Sequence, residues 1–400
     1  MEVLKKELPD GWEWKQIKDF VKKVNSIDPT KEPDKQFYYI DIDSINNSNQ
    51  TIQNPKLVIG NEAPSRARQI VKHDDILFST VRPYLKNIAL IDRIYDSQVA
   101  STGFCVIRVN ERVDNKYLFY YLRSDAFLNE LKRYYRGANY PAISDSDLLY
   151  QQFPLPPIDT QRKIVAILEK AEATQRLRAE ADALTQELQR SAFLEIFGNP
   201  VKNEKGWVKK PLREFGEIIT GNTPPRERAE YYGNHIEWIK SDNINTPFTY
   251  LTRSEEMLSK QGADVGRIAP KGSVLITCIA GSISCIGNTA IADREVAFNQ
   301  QINAIVPNKS VNPVFLYHLF RNSQGYIQKF STHSMKGMIS KGVLSSIPLI
   351  LPPVEIQDSF ASIAQQIEEI RNQQHESTYE VSSLLNALMS KAFIGELISN

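Results

Sequence analysis

The sequence predicts an α+β protein built as a pseudo-twofold tandem repeat, with two similar globular domains separated by a two-helix antiparallel coiled coil. Three observations carry that expectation. Motifs of the first half return in the second in unbroken order, and each half mixes short β-rich runs with helical stretches. Each half also closes, after a proline cluster, on a long helix with an apolar seam.

The 400 residues suffice for about two to three domains. Hydrophobic residues at 42% and charged residues at 24% fit an ordered chain rather than a disordered one. No run approaches the ~18–20 apolar residues of a membrane helix. Met1-Glu2-Val3-Leu4-Lys5-Lys6-Glu7 has no apolar signal core. The three cysteines, Cys105, Cys278 and Cys285, lack metal-binding spacing and cannot form a disulfide framework. A cytoplasmic protein with no membrane contact and no structural zinc is expected.

The repeat opens with Gly11-Trp12-Glu13-Trp14-Lys15, which returns as Gly206-Trp207-Val208-Lys209-Lys210. Tyr39-Ile40-Asp41-Ile42 corresponds to Trp238-Ile239-Lys240-Ser241, and Asp75-Ile76-Leu77-Phe78 to Ser273-Val274-Leu275-Ile276. Tyr117-Leu118-Phe119 matches Phe315-Leu316-Tyr317, and Pro154-Leu155-Pro156-Pro157 with Gln161 matches Leu351-Pro352-Pro353 with Gln357. Ser191-Ala192-Phe193 returns as Lys391-Ala392-Phe393. The offset stays within 195–201. A unit of that length is a duplicated domain, not a solenoid repeat.

Within the first copy, Ile76–Val81 and Phe104–Val109 are compact strand candidates. Tyr117 through Tyr135 reads as one helix, with apolar residues three and four apart. Pro154, Pro156 and Pro157 close the globular part. Residues 1–157 and 199–353 are thus the globular domains, and 158–198 and 354–400 the helices. In the last segment Phe360, Ile363, Ile367, Ile370, Gln374, Ser377, Val381, Leu384 and Leu388 alternate steps of three and four, and seven of these nine are apolar. The first copy shows Ile164, Ile167, Ala171, Thr174, Leu177, Ala181, Leu184 and Leu188, four residues shorter, a stutter-sized difference. About 35 residues at ~1.5 Å each give a rod of about 50 Å.

Catalytic signatures are missing. No phosphate-cradling G-x-x-x-x-G-K-[ST] loop occurs, and no G-x-G-x-x-G follows a strand. Thr220-Gly221-Asn222-Thr223-Pro224-Pro225 superficially resembles an adenine-methyltransferase signature, but Thr223 interrupts the order and no aromatic follows. Pro9-Asp10 and Glu13-x-Lys15 hold their acids too close for a metal nuclease, which needs them on separate strands. None of the five histidines has a partner at helical metal spacing, and Cys278 and Cys285 sit in a Gly/Ser-rich stretch without a base. No catalytic or metal-ligating residue is predicted.

The overall charge of +1 conceals a segregation: residues 199–353 carry +6, and residues 354–400 carry −5. Two related but divergent modules on a stiff spacer suit the reading of two sites at fixed separation. DNA offers such sites about every 34–36 Å. At this point the Gly-Trp segments, Thr102-Gly103-Phe104 and Asn299-Gln300-Gln301-Ile302-Asn303, and the two Pro-Pro-x-x-x-Gln exits into long helices together carry a family likeness. The chain resembles the specificity subunits of type I restriction–modification enzymes over nearly its whole length.

That resemblance implies two target-recognition domains, 1–157 and 199–353, each reading one half of an asymmetric bipartite target in double-stranded DNA. It also implies two adenine-methyltransferase subunits as partners, and restriction–translocase subunits that can join. S-adenosylmethionine, ATP and Mg would then reside in those partners, with no cofactor bound by this chain. Base reading needs hydroxyl, amide and cationic side chains that reach base edges. The first domain offers the loop containing Ser79, Thr80, Arg82, Tyr84 and Lys86, and the basic-aromatic run with Arg133, Arg136, Asn139 and Tyr140. Arg133 and Arg136 also suit a helix C-terminus. The second offers Thr277 and Ser282, Ser334 and Lys336, and Lys240-Ser241-Asp242. The alternative is a non-nucleic coiled-coil scaffold carrying two protein-binding modules.

Overall fold

A computed structural model describes residues 8–332 and 337–398. The chain divides into two compact units, residues 1–177 with 378–400, and residues 178–377.

In the first unit, one antiparallel sheet has the order Val21–Lys22, Phe104–Val109, Ile76–Ser79, Ile88–Leu90. Ile76, Leu77 and Phe78 are all fully buried, which is why this strand reads as an unbroken apolar run. A second sheet has the order Lys56–Ile59, Gln36–Ile40, Val99–Ser101, Ala67–Ile70, and contains one parallel pair, Tyr39 opposite Val99. A ribbon joins Glu13–Gln16 to Gln152–Leu155 and so brings the start and end of the globular part together.

The second unit repeats this strand for strand. Gly216–Thr220, Ile302–Pro307, Val274–Thr277 and Thr289–Ile291 form the first sheet. Met257–Leu258, Tyr232–Ile239, Val296–Phe298 and Ile268–Ala269 form the second, again with one parallel pair, Trp238 opposite Ala297. Lys209–Pro211 and Pro348–Ile350 form the closing ribbon.

Four helices matter here: α1 (Asn115–Arg123), α2 (Ile158–Phe197), α3 (Pro313–Gln328) and α4 (Val354–Ala392). The single helix expected from Tyr117 to Tyr135 is broken. Ser124 is extended, its hydroxyl donates to the Tyr121 carbonyl at 2.7 Å, and it caps a separate helix, Asp125–Leu131, by accepting from the Phe127 amide. A serine side chain offers the backbone an alternative to the helical bond, and here the alternative wins. In the second copy Asn322 stands at this place and α3 runs on.

The repeated Pro-Pro-x-x-x-Gln exit is a structural clamp. Fully buried Gln161 accepts from the Asp114 amide at 2.8 Å and donates to the carbonyls of Pro156 and Arg112 at 2.9 and 3.2 Å. Gln357 accepts from Asn312 at 2.9 Å and donates to Pro352 and Ser310 at 2.7 and 3.0 Å. Asp114 and Asn312 are the N-caps of α1 and α3. Each glutamine therefore ties the start of a long helix to the cap of the preceding one. The repeated Gly-Trp segments work similarly. Gly11 and Gly206 have φ of +81° and +70°, a turn that suits glycine. The turn presents Trp12 to the first core, and Trp207, whose indole donates to the Phe197 carbonyl at 2.9 Å, to the second.

The long helices pair antiparallel. In the first unit the start of α2 packs with the end of α4: Gln175 meets Ser382 at 3.1 Å, and Phe393 packs edge-on to Tyr117 and Tyr121 at 5.5 and 5.3 Å. In the second unit the roles exchange, and Phe193 and Phe197 each lie 5.4 Å from Phe360. α2 and α4 run for 40 and 39 residues, so α2 ends one residue short of the expected segment 158–198 and α4 stops at Ala392 within the expected 354–400.

The buried seam differs from the expected one. Phe360, Ala364 and Ile367 are buried, whereas Ile363 and Ile370 are exposed; Leu385 is buried in place of Leu384. In α2, Leu177, Leu184 and Leu188 face solvent, while Leu168, Thr185 and Gln189 are buried. The step taken is i+4 where the apolar pattern suggested i+3. This rotation brings small Ala361 and Ala364, rather than bulky Ile363, to the buried side, beside the aromatic cluster at Phe360.

Phe193→Ala is expected to cost about 3–5 kcal/mol in the second unit. Phe393→Ala should do the same in the first. Hydrogen exchange checks this: each variant should lose protection in only one unit.

Candidate nucleic-acid interface

In the first unit the two loops singled out in sequence form one surface. Val81 and Arg136 both bridge to Ala142. The Arg82 amide donates to the Pro141 carbonyl at 2.7 Å, and the Ile143 amide to the Thr80 carbonyl at 2.9 Å. The Arg82 guanidinium lies 4.2 Å above the Tyr140 ring, and the rings of Tyr84 and Tyr135 are 6.4 Å apart. Arg82 and Lys86 adopt left-handed φ values of +49° and +55° on either side of the turn Pro83–Leu85. Such conformations cost energy in non-glycine residues, so surrounding contacts must hold this loop in shape.

Not every candidate reaches the surface. Ser79 and Thr80 are buried, and their hydroxyls donate to the carbonyls of Val81 and Gly103 at 2.8 and 3.1 Å. Their short side chains serve the strand end, not the exterior. Lys86 is held by Asp125 at 2.8 Å. Arg136 forms a bidentate pair with Asp147 at 2.8 and 3.1 Å. Bonds from the hydroxyl and amide of Ser144, with Arg136, hold the Asp147 carboxyl below its ordinary range. Tyr84, Arg133, Asn139 and Tyr140 are exposed, and among the described residues Arg133 has a 4.0 Å contact to Glu130 and a place over the Tyr134 ring.

The second unit joins the equivalent loops. Ile279–Ala280 pairs with Gly337–Met338, and the Ile339 amide donates to Cys278 at 2.9 Å. Thr277 is fully buried, its hydroxyl without a partner among the described residues, so it too lies beneath the surface. Ser282 is exposed and shares a bond with Ser284. Ser334 and Lys336 fall outside the described residues. Ser241 donates to Gln301 at 3.4 Å, and the Gln301 carbonyl accepts from Cys278 and Ile279, so this third candidate borders the same surface. Asp242 is exposed.

Lys240 is not free. It pairs with Glu256 at 2.6 Å, and Arg226 meets the same carboxylate at 2.9 Å while stacking over Tyr232 and Trp238 at 4.7 and 4.9 Å. The hydrogen bond from Lys240, ahead of Arg226, holds the Glu256 carboxyl below its ordinary range. At the equivalent place in the first unit the polarity is reversed, with Asp41 paired to Lys56 at 2.7 Å. Burial pushes the Asp41 carboxyl upward, but bonds from Lys56 and Ser44 prevail and hold it below its usual value.

Sequence reasoning missed Arg226, although the charged run after Pro225 signals it. It also missed a chain of amides in which Asn288 donates to Asn245, and Gln324 to Asn288, each at 2.7 Å. Nothing in the sequence marks these three; only folding brings them together. Among the described residues no group of three or more His, Cys, Asp or Glu is placed to hold a metal, and no helix is long and apolar enough to cross a membrane.

Comparison with known proteins agrees with this arrangement. The family model described as "Type I restriction modification DNA specificity domain" matches twice, over residues 9–188 and 204–380. The chain belongs to the type I restriction–modification specificity subunits. It is similar to the HindI specificity subunit of Haemophilus influenzae, with 23% identity covering 74% of this chain and 80% of that one. A solved chain described under "Structural basis underlying complex assembly and conformational transition of the type I R-M system" is 32% identical and covers 98% of this chain and 100% of its own, at a TM-score of 0.65. The S subunit from M. genitalium, 13% identical, covers 98% of this chain and 97% of its own at a TM-score of 0.59, a likeness of fold. Specificity subunits recognise DNA targets and are not themselves catalysts.

Asp147→Asn removes the charge that holds Arg136. Non-specific DNA affinity should rise, and log K should fall more steeply with log salt, by up to about 0.9. Fluorescence anisotropy across a salt series measures it.

Proposed function

We propose that this specificity subunit reads an asymmetric, gapped DNA target, one half through each globular domain, and directs adenine methylation by two partner methyltransferase subunits. Cleavage follows where restriction–translocase subunits join. S-adenosylmethionine, ATP and Mg belong to those partners, and this chain binds none of them. One observation carries the reading: two domains of identical strand order join equivalent loop pairs into one surface each, yet the two surfaces carry different chemistry. The first presents Arg82, Tyr84, Arg133, Asn139 and Tyr140, and the second Ser282, Ser241, Asp242 and the amides at 245, 288 and 324. Unlike surfaces on a common frame give unlike half-sites. Exposed Leu184, Leu188, Ile363 and Ile370 on the helices supply apolar area for the partner subunits.

Methylome sequencing of cells carrying this chain and its methyltransferase tests the proposal, with one asymmetric, gapped adenine motif expected. A gel shift without any DNA retention, with the partner present, would favour the protein-binding scaffold instead. Arg82→Ala should relax one half of the motif and leave the other intact; equal loss in both halves counts against modular reading. Inserting or deleting four residues within 170–190 should change the gap between half-sites, read in the same way. An unchanged gap means the helices do not set it.

A further inference from the structure

The two units differ at one equivalent cluster, where α1 or α3 meets a long helix. In the first unit the cluster is closed. Glu172 on α2 accepts from the Tyr120 hydroxyl at 2.7 Å and pairs with Arg123 at 2.6 Å, and Arg123 also donates to Gln50 at 2.7 Å. The repeat places His318, Arg321 and Glu368 where Tyr120, Arg123 and Glu172 stand, and Arg371 where Gln175 stands. The added arginine captures the glutamate. Arg371 pairs with Glu368 at 2.8 Å and donates to the Pro247 carbonyl at 2.6 Å, and Glu368 also accepts from Thr249 at 2.9 Å.

This capture leaves two groups without partners. Arg321 is exposed and has no ion pair or hydrogen bond among the described residues, and buried His318 has an Nε2 with no hydrogen-bond partner. Both line a cavity of about 380 Å³ with Arg190, Arg371, Gln324 and Glu187. Of the three guanidiniums there, Arg371 is already paired with Glu368, which leaves Arg190 and Arg321 beside the carboxylate of Glu187. Burial first, then Arg321 and Arg371, push the His318 pKa down to about 3, so the ring is neutral and offers either a donor or an acceptor. Gln324 connects the cavity to the candidate reading surface, donating to the Ser284 carbonyl at 3.1 Å and to Asn288 at 2.7 Å.

We propose that Arg321 and Arg190 hold a backbone phosphate of the target DNA beside the second domain's reading loops, a positioning contact that the first domain lacks because Glu172 neutralises Arg123. The inference rests on the DNA-reading function proposed above. Phosphate contacts fix register without reading sequence, and each adds about 0.9 to the salt slope of binding. Continuity with the reading surface through Gln324 and the +6 charge of residues 199–353 favour DNA over an acidic protein segment.

The test uses the full chain assembled with its methyltransferase, binding target and non-target duplexes across a salt series. Arg321→Gln should make the slope shallower by about 0.9 and weaken both duplexes alike, while the methylated motif stays the same. Arg190→Gln should act in the same direction. An unchanged slope with intact target recognition overturns the proposal. So does an Arg321→Gln complex that fails to assemble by light scattering while Arg190→Gln leaves the slope unchanged, which would assign the cavity to a protein partner. Absence of DNA binding by the unaltered complex would instead remove the underlying functional reading.

Discussion

Each globular core is finished by a phenylalanine from the far end of a long helix. Phe393 fills the first core against Tyr117 and Tyr121, and Phe193 fills the second against Phe315 and Phe360. A buried ring of this size contributes several kcal/mol through area removed from water and close packing. The helices are therefore not appendages on finished domains. The buried glutamines Gln161 and Gln357 secure the other end of each helix, where every polar atom they bury finds a partner. Within each unit these contacts tie one end of each long helix to the globular core.

Within that frame the polar chemistry has diverged freely. A core position must keep volume and apolar character, so Tyr117 answers to Phe315 and Ile40 to Ile239. An ion pair with solvent at its rim contributes modestly to stability, and its polarity can be inverted as long as both partners change together. Asp41–Lys56 and Lys240–Glu256 are such an inversion, on equivalent strands. The closed Tyr120–Glu172–Arg123 cluster and its opened counterpart at His318 and Arg321 show the same freedom at a partly buried place. Two domains of one topology thereby present different surfaces, which suits a subunit whose task is to discriminate.

The loops separate candidate side chains that reach the surface from those that do not. Hydroxyl-bearing residues at a strand end are good candidates by type, yet Ser79 and Thr277 are the last residues of their strands, Thr80 follows directly, and all three are buried. Cations are good candidates too, but Lys86, Arg136 and Lys240 are each engaged by a carboxylate distant in sequence or across a loop. Residue type is local information; partnership is not.

The sequence by itself determined the duplication, the α+β character of each copy, the long closing helices and the absence of catalytic motifs. Repeats, apolar periodicity and proline clusters are properties of the chain read along its length. Only the tertiary structure decided which face of each helix is buried, because two seams a single residue apart, through Ile363 or Ala364, are equally periodic, and steric room beside Phe360 selects the smaller side chain. It alone also decided which polar groups stand free, because a charge is neutralised by whatever folding brings within a few ångströms of it.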